Sequence, residues 1–228
     1  MSNLSIFDIA GPVMVGPSSS HTAGACKIGQ FARALFHSTP KKVTFYLHGS
    51  FGEVYKGHAT DRALLGGVMK FQTSDPRIRD SFEIAKEKKL KYEFIVKELG
   101  EKYHPNTVEI VLEDDTHKMS VIGCSIGGGM IEIVKIDNFD VLIHGRAGKY
   151  LSLVVCHDED QKIVDELKEK IAALGEMKVV EQESTHYDKK TLSILSLEGR
   201  RIKKNEVIML EKTTKGVDFI RSLSKLTS

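Results

Sequence analysis

The sequence GPSSSHTAGACKIGQF occupies residues 16–31 and predicts a tight turn that leads directly into a helix. Pro17 fixes one backbone angle of the turn, and the three serines that follow offer hydroxyl groups as N-caps. Apolar side chains then recur at helical spacing, at Ala25, Ile28, Phe31, Ala32, Leu35 and Phe36. We therefore expect an amphipathic helix that packs one apolar stripe against the core.

The same turn holds polar groups that suit ligand chemistry. The free N–H groups and the positive dipole end of a helix start can bind an anion such as a carboxylate or a phosphate. His21 lies in the first turn, and its imidazole can exchange a proton near neutral pH. A plainer interpretation stays open, in which Ser18, Ser19 and Ser20 only cap the helix and His21 is a surface residue.

Composition places the chain among ordinary globular proteins. Its 228 residues suffice for one large domain or two small ones, and 41% are hydrophobic and 28% charged. The formal net charge of +2 gives no reason to expect binding to nucleic acid or to a membrane. No apolar run reaches the length of a membrane span, and the first residues lack the basic start of a signal peptide. We expect a cytoplasmic protein.

The three cysteines, Cys26, Cys124 and Cys156, lie far apart in the sequence. An odd number of cysteines without a Cys-x-x-Cys pair argues against a disulfide framework and against a self-contained zinc site. We expect buried, free thiols on apolar elements.

Helix and strand patterns predict an α/β (α+β) protein with two domains, residues 1–146 and 147–228. Strand-like runs of the first domain lie at residues 41–48, 92–96, 107–112, 119–125, 130–136 and 141–143. Its further helices are predicted at residues 59–70 and 77–89. The glycines at 127–129 precede a strand pattern and not a helix, which favours a hairpin or bulge over a phosphate-binding loop.

A second pattern follows a predicted linker at residues 144–149. It predicts strands at residues 151–155, 178–184, 192–197 and 207–210, with helices at 160–174 and 215–226. This order of elements is typical of a small α+β sandwich.

Two further polar clusters lie at the ends of predicted elements. The sequence GHATD at residues 57–61 places His58 and Thr60 before a helix, with Asp61 in its first turn, where a negative charge is favourable. The sequence HPNT at residues 104–107 places Asn106 just before a strand. Taken singly, each cluster is explained as a cap or a turn. Together they suit a small polar substrate that carries a carboxylate, because element ends are where such scaffolds present functional groups.

A serine-nucleophile hydrolase is an alternative. Ser18 or Ser19 with His58 would supply a nucleophile and a base. No Gly-x-Ser-x-Gly elbow is present in the sequence, so we predict that the hydroxyl groups bind a ligand and do not attack it.

The three clusters, together with SIFDIAGPVMV at residues 5–15, resemble the beta chain of bacterial iron–sulfur-dependent L-serine dehydratase, an L-serine ammonia-lyase. The likeness covers residues 4–145 and includes the segments 57–61, 104–107 and 125–130. It implies a first domain similar to the serine-effector-binding domain of some phosphoglycerate dehydrogenases. It also implies a small ACT-like α+β domain after it.

The resemblance implies a lyase of serine catabolism and gluconeogenesis that works as a hetero-oligomer. In that family, a separate alpha chain holds a [4Fe–4S] cluster, whose open iron binds L-serine and draws off its hydroxyl group as a Lewis acid. The aminoacrylate that is released becomes pyruvate and ammonia. No metal ligand is expected in the present chain.

The resemblance also implies roles for single residues. His21 and His58 are the candidate proton-transfer groups, and the resemblance leaves open which of them takes the Cα proton. The candidate substrate-binding residues are Ser18, Ser19, Ser20, Thr22, Asn106 and Asp61. The competing hypothesis is a non-catalytic serine-binding or assembly subunit.

The sequence departs from the family pattern at two places. Residue 59 is alanine where glycine is expected after the histidine. The ACT-like part lacks the glycine-bearing turn that binds effectors, because its first strand leads into HDEDQ at residues 157–161. The sequence at residues 215–226 also predicts a helix, whereas such modules end in a closing strand. We expect an ACT-like fold without amino-acid regulation.

Overall fold

The computed structural model describes residues 13–36, 38–144 and 151–223. The chain divides into two compact units. The described part of the N-terminal unit ends at residue 144. The short segment 138–140 groups with the C-terminal unit. Most of the predicted linker at 144–149, and residues 5–12 of the opening stretch, lie outside the described residues. Among the helices of the described chain, none is both long and apolar enough to cross a membrane.

A mixed six-stranded sheet forms the N-terminal unit. Its strands are β1 (Lys42–His48), β2 (Lys91–Val96), β3 (Thr107–Glu113), β4 (Lys118–Gly127), β5 (Met130–Ile136) and β6 (Phe139–His144), in the order β2-β1-β3-β4-β5-β6. Strands β1 and β2 run parallel, whereas β3 pairs antiparallel with β1 and with β4, and β4 with β5. Gly127, the last residue of β4, and Gly128 and Gly129 of the β4–β5 connection have positive φ angles. Together with the antiparallel pairing of β4 and β5, this confirms the predicted hairpin.

Within the described residues, four α-helices accompany this sheet: α1 (Ala25–Leu35), α2 (Ser50–Val54), α3 (Thr60–Val68) and α4 (Ser81–Glu87). A π-helical turn at Ser19–Gly24 precedes α1, and a 3₁₀ turn at Pro76–Asp80 precedes α4. The apolar stripe predicted for α1 is buried, as the sequence pattern indicates. The single turn of α2 was not predicted, because five residues are too few to show a helical period.

Helices α1 and α3 cross at very close range. A Cβ atom on Gly67 would collide with the carbonyl oxygen of Cys26, and one on Gly29 would collide with the carbonyl oxygen of Leu64. The backbones therefore touch directly where the two helices meet, which is possible only because both residues lack a side chain. This crossing fixes the relative position of the segments that precede the two helices.

The C-terminal unit has the β-α-β-β-α-β order of a ferredoxin-like fold. Its elements are β7 (Leu151–Asp158), α5 (Gln161–Ala173), β8 (Met177–Tyr187), β9 (Lys190–Gly199), α6 (Lys204–Thr213) and β10 (Val217–Ser222). The strands form an antiparallel sheet in the order β10-β7-β9-β8. Ile163, Leu167 and Ile171 of α5 are buried in the core cluster of this unit. With both units described, the predicted α/β (α+β) class is confirmed.

Two sequence predictions for the last part of the chain are wrong. The predicted strand at 207–210 belongs to helix α6, and the predicted helix at 215–226 contains strand β10. Four consecutive apolar residues at 207–210 do not distinguish a buried strand from a helix. Strand β10 begins after Gly216, which has a φ of +84°, and it pairs with β7. The unit therefore has the closing strand that the sequence did not indicate. Residues 224–226 lie outside the described residues.

Candidate functional site

The serine-rich turn forms the start of the long first helix. Ser18 is the N-cap residue, and its Oγ accepts a hydrogen bond from the backbone N–H of His21 at 3.1 Å. The predicted serine cap is therefore present. The next six residues, Ser19–Gly24, wind as a π-helical turn, a wide geometry that often occurs at functional sites.

The turn fits closely against strand β4. A Cβ atom on Gly24 would collide with the Oγ of Ser125. The Ser125 side chain is fully buried, and its Oγ has no hydrogen-bond partner among the described residues. Glycine at position 24 thus lets a strand residue approach the backbone of the turn.

His21 lies between two serine hydroxyl groups. Its Nε2 atom is 3.1 Å from Ser50 Oγ, and its Nδ1 atom is 3.4 Å from Ser18 Oγ. The ring also meets the edge of Phe51, with 5.4 Å between the ring centroids. Burial lowers the pKa of His21, nearby His58 lowers it further, and a backbone hydrogen bond with Ser50 opposes both effects. A lowered pKa keeps the imidazole neutral near pH 7, the form that accepts a proton.

His58 lies beside His21, just before helix α3. The centroids of the two imidazole rings are 5.0 Å apart, and the rings are tilted by 36°. The backbone carbonyl of His58 accepts a hydrogen bond of 3.0 Å from Thr22 Oγ1, which ties the two turns together. The Nδ1 atom of His58 is buried without a hydrogen-bond partner among the described residues. Such unpaired atoms are uncommon in folded proteins and call for an explanation.

Ala59 has a left-handed backbone, with φ = +56° and ψ = +27°. This conformation costs an L-residue about 1 kcal/mol or more, whereas glycine adopts it freely. It therefore gives a physical reason for the glycine that the family resemblance predicts at this position.

Asn106 joins the site through Ser125. Its Nδ2 atom donates to the carbonyl oxygen of Ser125 at 3.4 Å, and the N–H of Ser125 donates to the carbonyl oxygen of Asn106 at 3.0 Å. Ser125 in turn packs on Gly24. Asn106 is therefore connected to the serine-rich turn through a single intervening residue, Ser125.

The other predicted residues are placed less centrally. Asp61 is buried, and its Oδ1 accepts a hydrogen bond from the N–H of Arg62 at 2.8 Å. Burial raises the pKa of Asp61, and none of its described hydrogen bonds reaches either histidine. Ser19 and Ser20 are half-buried, and across the described ranges their hydroxyl groups make no side-chain hydrogen bond. The structure thus brings together Ser18, His21, Thr22 and His58.

Three residues of this site were not singled out from the sequence as site residues: Ser50, Phe51 and Ser125. Ser50 follows Gly49 at the end of β1, and a serine just after a buried strand is a signal that sequence reasoning could have used. Ser125 lies within a strand pattern, where nothing in the sequence indicates that its hydroxyl group faces a helix start.

The cysteines of this chain do not fit as ligands of an iron–sulfur cluster. All three are buried, as predicted. Burial raises the pKa of the Cys26 thiol to about 12 and that of Cys124 to about 11, whereas cluster ligands are thiolates. In the parts of the chain that the structure describes, no group of three or more His, Cys, Asp or Glu side chains is placed to hold a metal ion.

Sequence comparisons show which family this chain is similar to. The profile of the family described as "Serine dehydratase beta chain" matches residues 5–135. The chain is 44% identical over 165 residues to "L-serine dehydratase, beta chain" of Peptoniphilus asaccharolyticus, which covers 72% of this chain and 73% of the relative. It is also 44% identical over 155 residues to "Probable L-serine dehydratase, beta chain" of Bacillus subtilis (strain 168), with coverage of 68% and 69%.

Proposed function

Because the chain belongs to the serine dehydratase beta-chain family, we propose that it is the beta subunit of an L-serine dehydratase and supplies catalytic side chains to an active site shared with an alpha chain. The reaction is the β-elimination of water from L-serine, which gives pyruvate and ammonia. The observation that carries this proposal is the pair of adjacent imidazoles, His21 and His58, beside the serine-rich turn that begins helix α1.

The serine-rich turn is proposed to hold the substrate carboxylate. The hydroxyl groups of Ser19 and Ser20 and the free N–H groups of the helix start are donors suited to an anion. Thr22 connects the turn to His58 by a hydrogen bond. The Asn106 amide is hydrogen-bonded to Ser125, which packs on Gly24 of the turn. Asp61 is proposed to assist substrate binding from the first turn of α3, although its described bonds stay within its own helix.

The histidine pair is proposed to move the Cα proton of L-serine. The Cα–H bond breaks, its proton passes to an imidazole nitrogen, and its electron pair forms the double bond as the β-hydroxyl group leaves. The lowered pKa of His21, caused first by burial, supports a role as the base, while His58 stays the second candidate. A [4Fe–4S] cluster held by the alpha chain is proposed as the Lewis acid for the leaving hydroxyl group.

The second candidate function is a non-catalytic serine-binding or assembly subunit. The same hydroxyl groups and helix start would bind L-serine without any transfer of a proton. The two functions differ in what they require of His21 and His58, because only the catalytic one needs their ring nitrogens.

The C-terminal unit is proposed to be an ACT-like module that binds no amino-acid effector. Its closing strand β10 and its β-α-β-β-α-β order support the module. The sequence at 157–161, which has no glycine, supports the absence of an effector site. We also propose that the assembled enzyme is cytoplasmic.

The test is anaerobic co-expression with the cysteine-bearing alpha chain, followed by an assay for pyruvate from L-serine. His21→Gln and His58→Gln should each lower kcat by about 10²-fold, the usual scale for loss of a general acid or base. His117→Gln is the control, since His117 is exposed on the β3–β4 turn. Near-normal turnover in both site variants, with assembly intact, would favour the binding subunit.

A further inference from the structure

Ser50 lies within hydrogen-bond distance of the His21 ring, although it is outside the serine-rich turn. Its Oγ lies 3.1 Å from His21 Nε2, and it is the first residue of α2, directly after strand β1 and Gly49. Ser50 belongs to none of the three polar clusters of the sequence, so its contact with His21 is a product of the fold.

The hydroxyl group of Ser18 can donate to one ring nitrogen of His21. Ser18 Oγ already accepts the backbone N–H of His21 at 3.1 Å, which leaves its own proton free to donate to Nδ1 at 3.4 Å. A neutral imidazole has one donor and one acceptor nitrogen. If Nδ1 accepts from Ser18, then Nε2 carries the hydrogen and donates it to Ser50.

We propose that Ser50 is a positioning residue that holds the hydrogen of His21 on Nε2. Nδ1 is then the atom that accepts the substrate proton, after the substrate displaces its long 3.4 Å contact with Ser18 Oγ. This inference rests on the proposed function, because it specifies which atom of the histidine pair is the base. A hydrogen-bond partner that fixes the tautomer of a catalytic histidine is a common device in enzymes. Nδ1 also faces the serine-rich turn, where the substrate is proposed to bind.

The segment that carries Ser50 is held in place on both sides. Gly49 has a φ of +53°, and a Cβ atom there would lie 2.8 Å from the carbonyl oxygen of Pro105. The N–H of Phe51 donates to the same oxygen at 3.3 Å, and the buried Phe51 ring packs against the His21 ring. Ser50 is therefore presented to His21 by a rigid support, as a positioning residue requires.

The first test reads the tautomer directly in the isolated full-length chain, without the alpha chain. ¹⁵N NMR of the imidazoles separates a protonated from an unprotonated ring nitrogen, and loss of signals in His21→Gln assigns those of His21. We expect hydrogen on Nε2 in the native chain and in Ser50→Thr, and a mixture of tautomers in Ser50→Ala. Hydrogen on Nδ1 in the native chain, or an unchanged tautomer in Ser50→Ala, would overturn the inference.

The second test measures turnover in the complex with the alpha chain. Ser50→Ala should lower kcat by about tenfold through loss of orientation, with little change in KM, and Ser50→Thr should restore it. Ser74→Ala is the control, since Ser74 is exposed. Equal losses in Ser50→Thr and Ser50→Ala would indicate a packing effect and contradict the inference. If His21→Gln keeps its turnover, the proposed function fails. The tautomer of His21 is measured independently of turnover, so the two failures are distinguishable.

Discussion

The three serines of the turn differ in what their hydroxyl groups do. Ser18 Oγ is engaged twice, by the backbone N–H of His21 and by its ring. The hydroxyl groups of Ser19 and Ser20 make no side-chain hydrogen bond within the described ranges, so no contact there assigns them a structural role. Helix capping and ligand binding are therefore assigned to different residues of one short sequence, and substitutions can separate them.

Ser18→Ala should lower the free energy of unfolding by about 1 kcal/mol, the usual cost of losing an N-cap. Ser19→Ala should leave stability nearly unchanged and raise the KM for L-serine by at least about tenfold, because a charge-assisted hydrogen bond contributes about 1.5–3 kcal/mol. Thermal unfolding of the chain and steady-state kinetics of the complex measure the two effects. Lower stability with an unchanged KM in Ser19→Ala would make the whole turn a cap.

Two elements bring the histidines together. The π-helical turn ends at Gly24 against Ser125, and α1 crosses α3 at Gly29 and Gly67 with backbone contact. His21 and His58 each precede one of these helices, so the distance between their rings depends on how closely the helices approach.

Gly67→Ala should separate the two helices, because a Cβ atom there collides with the backbone of Cys26. Overpacking of this kind costs about 1–3 kcal/mol, and turnover should fall as the histidine rings move apart. Gly66→Ala is the matched control on the same helix, since its Cβ would meet only side chains, none closer than 3.1 Å. Thermal unfolding followed by circular dichroism and kcat are measured for both variants. Equal losses of stability and of turnover in Gly67→Ala and Gly66→Ala would contradict the proposed role of the helix crossing.

At the scale of the whole molecule, burial lowers the pKa of one histidine in the described part of each unit. His157 in the C-terminal unit is buried, with Nε2 2.9 Å from Ser193 Oγ and Nδ1 2.6 Å from the carbonyl oxygen of Asp158. Burial is the largest cause of the lowered pKa of His157, and nearby His186 lowers the pKa further. The hydrogen bond to the Asp158 backbone opposes these effects. In the N-terminal unit, burial is likewise the first cause of the lowered pKa of His21.

A folded-state pKa below that of the unfolded chain means that the unfolded state binds the proton first. The stability that comes from His21 and His157 is therefore fully present above about pH 6.5, the unfolded value, and is lost as pH falls through the folded values. We expect His21→Gln and His157→Gln each to flatten the fall in unfolding free energy between about pH 6.5 and pH 5. The two effects should add in the double variant, because the sites share no partner. Urea unfolding at a series of pH values measures this, and a steeper fall in either variant would contradict it.

The amino-acid sequence by itself determined the features that depend on neighbours in the chain. Helix α1 follows from its apolar period and helix α3 from its own, and the β4–β5 hairpin follows from three glycines that accept positive φ. The serine cap and the positions of His21 and His58 at helix starts were also readable, because capping chemistry is local.

Only the tertiary structure decided what depends on distant partners. Residues 204–213 form a helix and residues 217–222 form a strand. Residues 217–222 are a strand because they pair with β7, and the local apolar pattern does not predict this pairing. The same holds for the site, where Ser50 contacts His21 and Ser125 meets Gly24. A short sequence sets the preferences of its own backbone, whereas the neighbours of a buried side chain are set by the packing of the whole fold.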